Sequence, residues 1–129
     1  MPEKTVVRTD NAPAPFEGAP YSQAIRYGDL VFVAGQLALP AGHDHIVGES
    51  IEEQTEQVCR NLAAILEAAG SSFDNVLNTT IYLTDFGDFA GLNEVYGRYV
   101  GERPPARATV QIAALPMGAK VEIAVVAHV

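Results

Sequence analysis

At Ser50 the spacing of apolar residues changes from two to three-four, and that change constrains the fold of this chain more than any other feature. Ser50-Ile51-Glu52-Glu53 has the form of a capping box, in which the serine hydroxyl accepts from the Glu53 amide and the Glu53 side chain reaches back. Ile51, Thr55, Val58, Leu62, Ile65, Leu66 and Ala69 then make one helical stripe, and Gly70 supplies a left-handed cap. Glu52, Glu53 and Glu56 crowd the first turns, where the helix dipole favours negative charge.

On either side of this helix the period is two. Thr5-Val6-Val7 reads as a short strand, and Ala12-Pro13-Ala14-Pro15 as an extended loop. Ser22 to Tyr27 and Leu30 to Ala34 read as a hairpin turning at Gly28-Asp29. The second of these strands is apolar on both faces, which predicts a central, covered position, with Gly35-Gln36 interrupting it. Val76 to Leu83 reads as a strand with Leu77, Thr79, Ile81 and Leu83 on one face. A second helix is expected from an Asp88 N-cap to Val100, with the stripe Phe89, Leu92, Val95, Tyr96 and Tyr99 closed by Gly101. After Pro104-Pro105, two strands complete the chain, Ala108 to Ile112 and Lys120 to Val129.

The order β-β-β-α-β-α-β-β predicts a single α+β domain over 1–129, one mixed sheet with both helices on one face. The other face is then bare and partly apolar, which favours a closed symmetric oligomer.

Two charged residues depart from this pattern. Glu122 stands in Val121-Glu122-Ile123-Ala124-Val125-Val126-Ala127, where period two puts it on a face with Ala124 and Val126. A carboxylate there is either a strand-end group at the solvent rim or one that is paired, hydrated in a pocket, or protonated. Arg107 follows the stiff segment Pro104-Pro105-Ala106. It is either a solvated loop arginine or a fork suited to a substrate carboxylate. Thr109 shares its strand face and either orients a ligand or simply favours the strand. Tyr21 either packs or stacks on a planar ligand, Asn93 hydrogen-bonds either a loop or a ligand, and Gly35 permits close backbone approach.

Other chemistries find no support. His43-Asp44-His45 lies in a Gly-led turn without a third ligand at zinc spacing, so no metal is expected. Cys59, the only cysteine, rules out an intrachain disulfide and, near the helix stripe, reads as packing or half-exposed. There is no phosphate loop and no nucleophile elbow. The net charge is −8 and the eight Lys and Arg residues are scattered, which argues against nucleic acid and anionic membranes. Without a leader or an apolar run long enough to span a bilayer, the expected location is cytoplasmic.

The chain resembles the RidA/YjgF family of imine deaminases along nearly its whole length. The resemblance is carried by Asn11-Ala12-Pro13, Ala19-Pro20-Tyr21-Ser22-Gln23-Ala24, Phe32-Val33-Ala34-Gly35-Gln36, Asn61-Leu62 and Glu67-Ala68-Ala69-Gly70. It continues through Phe89-Ala90-Gly91-Leu92-Asn93-Glu94-Val95-Tyr96, Pro105-Ala106-Arg107-Ala108-Thr109-Val110, Leu115-Pro116 and Val121-Glu122-Ile123. It implies a chorismate-mutase-like fold assembled as a homotrimer, with the sheets forming an inner barrel, the helices outside and sites in clefts between subunits. It also implies hydrolysis of 2-imino or enamine acids, such as 2-aminoacrylate, to 2-keto acids and ammonia without a cofactor.

In that reading Arg107 binds the substrate carboxylate and Glu122 positions water. Tyr21 and Asn93 line the cleft, while Gly35 and Thr109 offer backbone contacts. Two positions depart from the family pattern, Ala34 where serine is frequent and Thr109 where cysteine is frequent. The first removes a hydroxyl from the site; the second excludes a thiol mechanism. The alternative is a trimeric metabolite-binding or regulatory protein using the same cleft without turnover.

Overall fold

The register of the strands decides which side chains share a face. In the computed structural model, which describes residues 1–129, six strands lie in the order β1-β2-β3-β6-β4-β5. They are β1 (Lys4–Val7), β2 (Ala24–Tyr27), β3 (Leu30–Gln36), β4 (Val76–Leu83), β5 (Ala106–Gln111) and β6 (Val121–His128). Helices α1 (Ile51–Ala68) and α2 (Phe89–Val100) complete the α+β arrangement in the expected order. All neighbours are antiparallel except β4 and β5, which α2 connects as a parallel pair.

Residues paired laterally point to the same side of a sheet. One row runs Val7, Ala24, Val33, Val125, Thr79, Arg107, and its members as far as Thr79 are buried beneath the helices. The neighbouring row, Val6, Ile25, Phe32, Val126, Asn78, Ala106, points the other way. Along β6, Val121, Ile123, Val125 and Ala127 are buried, and the residues between them are only partly so. The helix face therefore holds the core, joined by Val58, Leu62, Ile65, Leu66, Leu92 and Tyr96.

Helix α1 begins and ends as its sequence indicates. Ser50 accepts from the Glu53 amide, and Glu53 Oε1 accepts from the Ser50 amide at 3.2 Å. At the other end Gly70, at φ +83°, donates to Glu67 O while Ser71 donates to Leu66 O, the paired bonds of a Schellman cap.

The structure corrects several expectations. β3 is central but covered on one side only: Phe32 is 45% exposed and Leu30 39%. It continues through Gly35-Gln36 because a bulge absorbs one extra residue between Val33 and Gln36. A second bulge lies between Val76 and Asn78, so Val76 takes the inward position and Leu77 is 48% exposed. Asp88 makes no side-chain cap, since α2 is entered through a 3₁₀ turn at Phe86–Asp88 whose own cap is Asp85. The fifth strand starts at Ala106, which places Arg107 within the ladder opposite Thr79.

Candidate functional site

The parallel pairing of β4 with β5 turns Arg107 toward α2. Its Nη1 donates to Asn93 Oδ1 at 2.8 Å. The guanidinium carbon sits 5.5 Å from the ring centre of Phe89 and 5.3 Å from that of Tyr96. Tyr96 is held in turn by a buried bond from its hydroxyl to Thr79 Oγ1 at 2.8 Å, and burial pushes its phenol up from the ordinary value. The chain's ion pairs join Asp44 to His45, Glu56 to Arg60 and Glu94 to Arg98, so Arg107 has no carboxylate partner. A part-buried guanidinium oriented by two rings and a neutral amide keeps most of its donors for an anion. Thr109 follows on the same side, its Oγ1 buried without a hydrogen-bond partner.

Glu122 occupies the opposite face, paired across the ladder with Tyr82. It reaches a pocket of about 330 Å³ whose lining includes Tyr21, Ala34 and Gly35. Pro13, Phe16, Leu37 and Leu39 make its apolar walls. Burial raises the Glu122 carboxyl above the ordinary glutamate value, and no basic side chain lies within ion-pairing distance. Ala34 is one wall of this pocket, so a serine there would have put a hydroxyl into it.

The six residues singled out in the sequence thus fall into two groups. Arg107, Asn93 and Thr109 lie on the helix side of the sheet, at its β5 edge. Tyr21, Gly35 and Glu122 meet in the pocket entered from the other side. Within one copy of the chain, Arg107 and Glu122 point to opposite faces and do not share a site.

Three further groups build these half-sites. Gln23, 3% exposed, accepts from Thr9 N and donates to the carbonyls of Thr9, Ala12 and Pro13, tying the N-terminal loop beside the pocket. Asn61 in α1 donates to Leu37 O and Leu39 O, holding the segment that leaves β3 along the pocket wall. The Tyr21 hydroxyl accepts from Phe16 N at 2.9 Å, and the two rings meet edge to face. In the sequence Gln23 and Asn61 stand within motifs that carry the family resemblance, but nothing local to them shows which backbone groups they bind.

The titration of Glu122 has a definite sign. Well below the ordinary value of 4.5, folded and unfolded chains both carry the proton and burial of the charge costs nothing. As pH rises through that value and then the raised folded one, the fold must hold a half-buried anion, and stability is lost. We expect Glu122→Gln to melt above the parent at neutral pH, with the gap closing in acid. A gap that widened toward acid would mean that the native protein stabilises the carboxylate.

Fold and half-sites together define a small α+β protein with a bare apolar sheet face, an unpaired arginine at one edge and an isolated glutamate in a pocket. Residues 9–129 match the family model described as Endoribonuclease L-PSP. Reactive Intermediate Deaminase A, chloroplastic, of Arabidopsis thaliana is 47% identical over 125 residues, 97% of this chain and 66% of that protein. The 2-iminobutanoate/2-iminopropanoate deaminase of Mus musculus is 40% identical over 124 residues, 96% of this chain and 90% of that one. The crystal structure of RidA from an Antarctic Psychrobacter superposes with a TM-score of 0.90 at 42% identity, covering 97% of this chain and 99% of the other. The chain belongs to this family, the RidA/YjgF family.

Proposed function

We infer that this protein hydrolyses 2-imino acids and their enamine tautomers to 2-keto acids and ammonia, at sites completed by two copies of the chain. The observation that carries the reading is Arg107, a guanidinium held between Phe89 and Tyr96 with no carboxylate of its own. A planar fork in that setting matches the carboxylate of a small organic acid. Glu122 supplies the second function. Its half-buried carboxyl, raised by burial, suits a group that orients or deprotonates water near neutral pH.

Since the two residues lie on opposite faces, the complete site takes Arg107 from one subunit and Glu122, Gly35 and Tyr21 from another. The bare face, with Val6, Leu30, Phe32 and Val110 exposed, is the surface on which a closed homotrimer would assemble. Arg107 stands on β5, the strand at one end of the sheet, where a neighbour can approach it.

The reaction needs little beyond these groups. Arg107 fixes the carboxylate and so the position of the C=N carbon. Water adds there as Glu122 accepts its proton, and the C=N electron pair moves to nitrogen, which is protonated. The carbinolamine then collapses, forming the C=O bond and releasing ammonia. Imines hydrolyse unaided in water, so positioning and general-base help account for the acceleration. Relatives described as endoribonucleases suggest RNA as a rival substrate, but a net charge of −8 with scattered basic residues offers no phosphate-binding track.

The test is release of keto acid from imines made in situ by an amino-acid oxidase. Acceleration over the oxidase alone is the expected result. No acceleration across small, branched and aromatic imino acids would sink the enzymatic reading and leave metabolite binding without turnover.

A further inference from the structure

Gly35 sits where the bulge in β3 brings its backbone against the Glu122 side chain. A β-carbon built at this position would fall 2.6 Å from Glu122 Oε2, 2.7 Å from Cδ and 3.0 Å from Cγ. Real β-carbons essentially never come closer than about 3.0 Å to another heavy atom. The conflict is with the whole end of the side chain, so no small rotation of one oxygen relieves it. Gly35 is not among the positive-φ glycines, so its conformation does not itself demand glycine. A side chain at position 35 and the present position of the Glu122 side chain exclude each other, so one of the two must give.

We propose that Gly35 is a positioning residue: its bare α-carbon is the slot into which the Glu122 side chain folds, and this slot sets where the carboxylate stands in the pocket. The proposal rests on the hydrolytic reading above and adds a cause for the geometry that reading requires. The glutamate leaves β6 on the uncovered face, bends over β3 at the bulge and enters the pocket beside Tyr21. The titratable groups facing it are the Tyr21 phenol across the pocket and Tyr82 opposite on β4. Within one chain no basic group faces it from β3, β4 or the N-terminal loop, so packing against Gly35 sets its direction, and the charged group that joins it in the assembled site is Arg107 of a neighbouring copy.

The experiment compares imine hydrolysis by the parent, Gly35→Ala, Glu122→Gln and the double variant, with full kcat, KM and pH profiles. Displacement of a catalytic group by about 1 Å can cost on the order of a hundredfold. We expect Gly35→Ala to lower kcat about tenfold or more while KM changes less than about threefold. The acid limb of its profile should move to lower pH, since a carboxylate pushed out of its slot regains water. In the Glu122→Gln background the same substitution should change the residual rate less than about twofold.

An unchanged kcat would overturn the proposal. So would an equal loss in the Glu122→Gln background, or a rise in KM alone, which would make Gly35 a ligand contact instead. Should Gly35→Ala not fold, Gly35→Ala with Glu122→Ala decides the matter, because alanine at 122 leaves no atom beyond the β-carbon to meet the added methyl. That variant should fold and match Glu122→Ala in rate; failure to fold would place the clash elsewhere and overturn the assignment. A parent that does not accelerate hydrolysis sinks the functional reading. An active parent with an indifferent Gly35→Ala sinks only this one.

Discussion

Replacement of Arg107 by alanine is expected to lower kcat/KM for imine hydrolysis by about thirtyfold or more. Truncating one partner of a desolvated charge pair costs roughly 2–5 kcal/mol, and about 1.4 kcal/mol is a factor of ten. The protein should lose little else. Arg107 makes no ion pair within the chain, and its direct polar contact is the bond to Asn93. Melting temperature and subunit size therefore serve as controls and should stay near the parent's. Arg107→Lys should fall between, since an ammonium keeps the charge but neither the fork nor the stacking on Phe89 and Tyr96. Full activity in the alanine variant would remove the carboxylate anchor from the account.

Aspartate at Phe32 should have an effect as large through a different route. Phe32 is 45% exposed in the single chain and lies in the row Val6, Ile25, Phe32, Val126 on the uncovered face. A carboxylate there costs the isolated chain little, because it meets water. In an assembly that buries this face, it becomes an unpaired charge among apolar groups, a penalty of several kcal/mol. We expect Phe32→Asp to sediment as monomer, to keep the parent's far-ultraviolet circular dichroism and to lose imine hydrolysis. A folded monomer with undiminished activity would show that one chain suffices and that the separation of Arg107 from Glu122 has been misread.

The strand and helix pattern was legible because it depends on neighbours close in sequence. The Ser50 capping box, the Gly70 cap and the buried stripe of α1 need only local spacing, and all are present. The misplaced features depend on pairing. Leu77 continues the alternation of β4, but the bulge against β6 moves Val76 into the core instead. Leu30 and Phe32 look like core residues because period two shows how a strand divides its faces, not which face is covered.

The candidate residues divide in the same way. Glu122 stood out as a charge on an apolar face, a local signal. The surroundings of Arg107 did not, because Asn93, Phe89 and Tyr96 reach it only once β5 lies parallel to β4 with α2 crossing over it. That Arg107 and Glu122 face apart follows from the register across β4 and β6, over which the linear sequence is silent.

That separation also yields the most direct test of shared sites. An Arg107→Ala subunit keeps a sound Glu122 pocket, and a Glu122→Gln subunit keeps a sound arginine edge. Co-refolding the two inactive variants in equal amounts places sound halves side by side in mixed assemblies. For a closed trimer formed at random, about a quarter of the sites would then be intact. Imine hydrolysis is expected to recover toward about that fraction of the parent's activity, growing as subunits exchange. Mixed assemblies that form but stay as inactive as either variant alone would show that both residues act within a single chain, or that they do not act together.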